Sequence, residues 1–214
     1  MSGVPPQPNC AEDEPLEKIV VYIHGQGGSG EEAARFRPLF PGCAVIGFDY
    51  TAQTPWEARE EFPRFFDSIG GRHGTVTVIA NSIGAFFAMA SLSERQVEKA
   101  YFISPVVNIE KLITDSMAQA RVGEEELREK GVVKTPSGQV LSWDYLSYVR
   151  NHPIAWRVPT HILYGERDSL TSPETIAAFA GEIGATLTVM ENGEHWFHTE
   201  EQLEFLDDWI ASLR

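Results

Sequence analysis

The sequence predicts an α/β protein: a doubly wound, mostly parallel sheet of about six strands with helices on both faces. Three observations carry this expectation. Short runs of β-branched and other apolar residues recur along the chain, and consecutive positions within each run are apolar. That is the pattern of strands buried on both faces. Amphipathic helical stretches separate most of these runs, and right-handed crossovers through them place functional sites at the C-terminal ends of the strands.

Lys18 to Ile23 (KIVVYI) is the first strand, running into the glycine-rich loop His24-Gly25-Gln26-Gly27-Gly28-Ser29-Gly30. Glu31 to Phe40 reads as a short helix stopped by Pro41-Gly42. Ala44 to Phe48 is the second strand, ended by Asp49-Tyr50. Thr54 and Pro55 open an amphipathic helix that extends to about Ile69, because Pro is accommodated at a helix start. Gly70-Gly71-Arg72-His73-Gly74 reads as a turn. Val76 to Ile79 is the third strand and Ala85 to Ala90 a buried helix. Lys99 to Ser104 forms the fourth strand and His161 to Tyr164 the fifth. Thr175 to Ile183 is then a helix closed by Gly184, Ala185 to Met190 the last strand, and Glu200 to Leu213 a final amphipathic helix.

The interval at about 106–158 breaks this rhythm, being too long for a simple crossover. Ile109 to Lys130 reads as helical, Thr135-Pro136-Ser137-Gly138-Gln139 as a hairpin turn, and Asp144 to Arg150 as a further helix. We expect a small cap insertion here within one domain spanning 16–214, preceded by a loose tail over 1–15. That tail is polar and rich in proline and acid, without the apolar core of a signal peptide, and no apolar run is long enough to span a bilayer. Cys10 and Cys43 are too few for a disulfide framework. The formal charge of −14 argues against nucleic acid, an anionic membrane or strongly acidic substrates as partners. A cytoplasmic protein acting on a small molecule is the expectation, with no indication of its oligomeric state.

The stretch Ala80-Asn81-Ser82-Ile83-Gly84 joins the third strand directly to its helix. Such a turn holds its central side chain clear of the backbone, and small residues two before and two after let strand and helix approach. Ser82 therefore has the setting of a nucleophile elbow, with Ala80 in place of the first glycine. It also lies at a helix N-terminus, where free N–H groups favour negative charge; an ordinary serine N-cap is the alternative reading. A serine hydroxyl needs a base to take its proton, and the base works best when a carboxylate orients it. Candidates for both follow the last two strands, in Gly165-Glu166-Arg167-Asp168 and in Gly193-Glu194-His195-Trp196.

With these residues in this order, the chain resembles the α/β-hydrolase superfamily, and its small bacterial esterase-like members in particular, over about Lys18 to Leu213. Four signals carry the resemblance: the His-Gly loop after the first strand, the elbow, the acid after the penultimate strand and the histidine after the last. The resemblance implies the α/β-hydrolase fold without its first two strands, for which the sequence leaves no room. It implies Ser82 as nucleophile, His195 as general base and then acid, and Asp168 as the orienting carboxylate. It also implies an oxyanion hole from the backbone N–H groups of Ile83 and Gln26, with Gly27 as a further donor. No cofactor or metal is implied. Asn81 stands where histidine or aspartate is frequent in the family, which leaves substrate choice open.

Glu166 competes with Asp168 for the acid role, though Asp168 has the family's offset from Gly165. His195 and His198 are spaced as a metal pair could be, but no further ligand cluster accompanies them. His24 is expected to shape the loop that follows it. Trp143 and Trp196, with Tyr145, Tyr148 and Trp156, are candidates to line a substrate pocket, or else to pack the insertion onto the sheet. The expected activity is hydrolysis of a carboxylic ester of a small or aromatic substrate through an acyl-enzyme on Ser82. A thioesterase, a small serine peptidase, or a slow-turnover ligand receptor of the same fold would use the same residues.

Overall fold

A computed structural model describes residues 18–70, 76–92, 97–136 and 138–214. The expected tail, Cys10, and the turn residues Gly71 to Gly74 with His73 lie outside the described residues, as does Ser137. Strands β1 (Lys18–Ile23), β2 (Cys43–Phe48), β3 (Val76–Asn81), β4 (Val97–Ile103), β7 (Thr160–Gly165) and β8 (Thr186–Met190) form one sheet in the order β2-β1-β3-β4-β7-β8. Every neighbouring pair in it is parallel. Helices α1 (Pro55–Gly70), α2 (Ile83–Leu92), α6 (Pro173–Ile183) and α7 (Glu200–Ser212) make the crossovers and the C-terminal cover.

Alternation along β1 shows why both faces are apolar. Ile19, Val21 and Ile23 enter the larger core with Val78, Phe86, Phe102 and Ile162. Val20 and Tyr22 enter a second core with Phe36, Tyr101, Leu206 and Trp209. Successive strand residues point to opposite faces, so a strand covered on both sides has no polar positions to offer. Helix α2 is buried along nearly its whole length, through Gly84, Ala85, Phe86, Phe87, Ala88, Met89 and Leu92, as its uniformly apolar sequence requires.

The short helix expected after the glycine loop is present at Gly30–Leu39 and is of the 3-10 kind; it contains Pro38, which has no N–H to give. Its first residue presses on the sheet: a Cβ on Gly47 would stand 1.8 Å from the Gly30 carbonyl oxygen, so backbone touches backbone there. The helical reading over Ile109 to Lys130 resolves into α3 (Ile109–Ala120) and α4 (Glu124–Lys130). Arg121 ends α3 with φ 56°, and its N–H reaches back to the Ala118 and Met117 carbonyls.

Between β4 and β7 the chain therefore carries α3, α4, a two-stranded antiparallel hairpin β5 (Val132–Lys134) and β6 (Val140–Ser142), and α5 (Trp143–Asn151). This segment has its own small core of Met117, Leu127, Leu141 and Leu146. Arg150 links its three helices, bonding Glu110 at 2.7 Å and Glu124 at 2.8 Å. Among the described residues no helix is long and apolar enough to cross a membrane.

Candidate active site

The strand-to-helix turn after β3 sets the geometry. Ser82 has φ 51°, a left-handed conformation that costs a non-glycine residue about 1–2 kcal/mol. The surrounding backbone holds it there. The Ser82 N–H donates to Ile103 O at 3.0 Å, and its carbonyl accepts from Ala85 N–H at 3.2 Å and Val106 N–H at 3.1 Å. Gly84 lies so close to β1 that a Cβ on it would stand 2.3 Å from the His24 carbonyl oxygen. Ala80, on the other side of the turn, is wholly buried, so the small residues flanking Ser82 answer to real contacts.

The two loops after β7 and β8 are joined to each other. A Cβ on Gly165 would lie 2.6 Å from the Gly193 carbonyl. Arg167 N–H donates to Gly193 O at 2.8 Å, and Asn192 N–H donates to Glu166 at 3.0 Å. Glu166, the competing acid, is thus a tie between loops. Asp168 points inward instead. Its Oδ1 accepts from the N–H groups of Leu170 at 2.8 Å and Thr171 at 3.0 Å, and its Oδ2 lies 2.7 Å from His195 Nδ1. A carboxylate can only accept, so Nδ1 donates in this bond and Nε2 is turned towards Ser82. His195 Nε2 stands 2.8 Å from Ser82 Oγ. The His195 and Asp168 side chains are 3% and 0% exposed, and the Trp196 ring stands edge-on to the imidazole. The structure thus brings Ser82, His195 and Asp168 into one hydrogen-bonded chain.

Gly25 to Gly28 is a type II turn: Gly28 N–H donates to Gly25 O at 3.1 Å and Gly27 has φ 77°. Such a turn uses only the N–H of its fourth residue. Its body lies against Ser82, since a Cβ on Gly25 would sit 3.2 Å from Ser82 Cβ. His24 stacks on Tyr50 with ring centroids 4.2 Å apart, and Tyr50 OH donates to the His24 carbonyl at 2.9 Å. His24 accordingly anchors this loop.

A cavity of about 680 Å³ opens beside these groups, lined by Gln26, Gly27, Ile83, Phe87, Ile113 and Tyr145 among others. Among the described residues no Asp, Glu, Lys or Arg lines it. Neither Trp143 nor Trp196 is among the described residues that line it. Trp143 packs on the small core of the insertion. Trp196 is more than half exposed and borders a separate cavity with Tyr22 and Asn81. Trp156 is buried against Phe102, its indole N–H donating to Thr160, and Tyr148 stacks on His152. The sequence reading missed Tyr50, Ile113 and the amides that hold Asp168. For the last there is a signal, because Asp followed by a loop is prone to bonding its own backbone two residues on. His198 lies 3.6 Å from Glu194 near the surface. Among the described residues no group of three or more His, Cys, Asp or Glu side chains could hold a metal ion.

No protein-family model matches the chain, and no curated protein sequence does so. Solved structures do match. Est1E from Butyrivibrio proteoclasticus superposes with a TM-score of 0.76 at 17% identity, covering 94% of this chain and 88% of that one. The chain has the α/β-hydrolase fold. Alpha/beta hydrolase domain-containing protein 10 from mouse gives a TM-score of 0.70 at 20% identity, covering 91% of this chain and 88% of that one. A monoacylglycerol lipase from Paleococcus ferrophilus gives 0.61 at 16%, covering 92% and 95%. In this α/β-hydrolase fold, Ser82 occupies the turn after β3 and the Asp168 and His195 loops close the C-terminal edge of the sheet.

Proposed function

We propose that this α/β-hydrolase is a serine esterase that cleaves the carboxylic ester of a small or aromatic substrate. The observation that carries the reading is the chain of contacts from Ser82 Oγ to His195 Nε2 at 2.8 Å and from His195 Nδ1 to Asp168 at 2.7 Å, built on a turn beside an uncharged cleft. Ser82 Oγ attacks the ester carbonyl while its proton passes to His195 Nε2. The tetrahedral oxyanion is held by the N–H groups of Ile83 and Gln26, with Gly27. His195 then protonates the leaving alcohol, and an acyl-Ser82 ester remains. Water attacks that ester with His195 again as base, releasing the acid and regenerating Ser82. Asp168, bonded through both oxygens, fixes the imidazole tautomer throughout.

Several features support an ester with an uncharged acyl group. The cleft sets Ile83, Phe87, Ile113 and Tyr145 against the amides of Gln26, Gln53 and Gln139. A charged acyl group would be desolvated there without a partner. Among the similar structures, one holds ferulic acid bound to Est1E, an aromatic acid, and others are an esterase and a lipase.

The test is labelling with a fluorophosphonate probe, followed by turnover of p-nitrophenyl esters of graded acyl size. Ser82 is expected to be the labelled residue, and turnover to depend on acyl size. Asp168→Asn should reduce kcat by about ten-thousandfold with the fold intact, through loss of the correct tautomer. Ile113→Trp, which narrows the cleft, should raise KM for bulky aryl esters while acetate is spared. A folded protein that is neither labelled nor active on any ester would overturn the reading, and labelling without turnover would favour a ligand receptor. Faster cleavage of thioesters or peptides than of matched oxygen esters would move the assignment to those classes.

A further inference from the structure

The loop that presents Gln26 and Gly27 is held from the side away from the cleft by a carboxylate that the reaction does not consume. Glu32 lies in the first turn of the 3-10 helix. Its Oε1 accepts the Ser29 N–H at 3.1 Å, closing the far end of the glycine loop. Its Oε2 accepts the hydroxyl of Tyr22 at 2.5 Å. Tyr22 is 2% exposed and sits in β1, two residues before His24. The carboxylate also occupies the space that a side chain at position 28 would take, for a Cβ on Gly28 would stand 2.6 Å from Glu32 Oε1. Asn81, the residue before the nucleophile, reaches the same cluster. It shares a cavity of about 260 Å³ with Tyr22 and Glu32, and its side-chain carbon lies 3.7 Å from where a Gly25 Cβ would be.

Glu32 therefore spans two rigid parts of the molecule, the buried β1 strand and the end of the loop. On the cleft side, Tyr50 and Gly84 fix only His24. Between His24 and Ser29, the turn hydrogen bond and a contact of His24 Nδ1 with the Gly25 carbonyl at 2.8 Å both act on Gly25 O, and among the described residues no main-chain bond holds Gln26 or Gly27 in this segment of three glycines. Glycine backbone is otherwise free to move, and an oxyanion donor is effective only when its direction is set before the reaction.

We propose that Glu32, seated by Tyr22, is a positioning residue that fixes the direction of the Gln26 and Gly27 N–H groups for the transition state. The inference rests on the esterase reading above. A loop held this way leaves substrate binding largely alone and acts on the charged intermediate, so its loss appears in kcat rather than KM.

The experiment compares wild type, Ser82→Ala, Glu32→Ala, Glu32→Gln and Tyr22→Phe on p-nitrophenyl butyrate. Turnover is expressed per active site counted with the fluorophosphonate, and thermal unfolding establishes the folded state of each protein. Glu32→Ala should lose about tenfold to a hundredfold in kcat with KM within about twofold, a part of what removing one donor costs. The Ki of a trifluoromethyl ketone, which forms an oxyanion on serine, should rise by a similar factor. Glu32→Gln should recover most of the loss, since its amide oxygen accepts from Ser29 and its nitrogen donates to Tyr22. Tyr22→Phe should lose less than Glu32→Ala, and the double variant no more than Glu32→Ala alone. Unchanged kcat per titrated site in Glu32→Ala, or a rise confined to KM, overturns the inference while leaving the esterase reading in place. Turnover that survives Ser82→Ala, or wild type without turnover, overturns both.

Discussion

Ser82→Ala is expected to abolish fluorophosphonate labelling and to lower ester turnover by about four to six powers of ten. The size follows from the unit to which Ser82 belongs. Removing the nucleophile of a triad costs about as much as removing all three members, and what remains reflects binding and the oxyanion donors alone. The protein should stay folded, because an alanine keeps the backbone of the turn and the contacts from Ser82 N–H to Ile103 and from Ala85 and Val106 to its carbonyl are all main-chain. Its melting temperature should match wild type within a few degrees. Mass spectrometry of the labelled wild type, against the unlabelled variant, makes the measurement unambiguous. Turnover retained above a hundredth of wild type would mean that another nucleophile does the work.

The second large effect is structural and reaches the same serine. Gly84→Ala places a methyl group 2.3 Å from the carbonyl oxygen of His24 and 3.0 Å from that of Ile23. Both obstacles are backbone, at the last residue of β1 and the first residue after it, and β1 lies between β2 and β3 in the sheet, so neither can rotate away as a side chain would. The helix must instead move off the strand, carrying Ile83 and Ser82 with it. Overpacking against immobile groups costs on the order of 3 kcal/mol, or about 6–12 °C in melting temperature for a chain of this size. Activity should fall by about a hundredfold or more even where the variant is folded, because a displacement near 1 Å at the reacting atoms is enough. Thermal unfolding and turnover per labelled site separate the two losses. A variant with wild-type stability would show that the elbow has room that this structure denies it.

Legibility followed physical cause. The six strands could be read because a strand covered on both faces must be apolar at successive positions, and that signal is local. Ser82, Asp168 and His195 could be picked out for a related reason: each follows such a run, and the parallel topology sends all run ends to one edge. The helix after the glycine loop could be read but its 3-10 form could not, since the tight approach of Gly30 to Gly47 is a contact between distant parts of the chain. Nor could the break at Arg121, a left-handed residue that is itself neither Gly nor Asn, although Gly123 two positions on opens α4. For the same reason the placement of Trp143 and Trp196 was not legible. Nearness in sequence to the hairpin or to His195 says little about direction, and direction is set by the cores that Trp143 joins and the surface that Trp196 faces.

The joining of the β7 and β8 loops has a consequence for the order in which this molecule becomes itself. Ser82 and its base are 113 residues apart, whereas His195 and Asp168 are separated by 27 and are already bound together by Gly165, Gly193, Glu166 and Asn192. A ribosome releases the elbow long before it makes either partner. On the proposed mechanism, until β7 and β8 dock on the edge of β4 the serine has no base beside it and is an ordinary alcohol. Labelling of Ser82 would then report completed folding as well as chemistry.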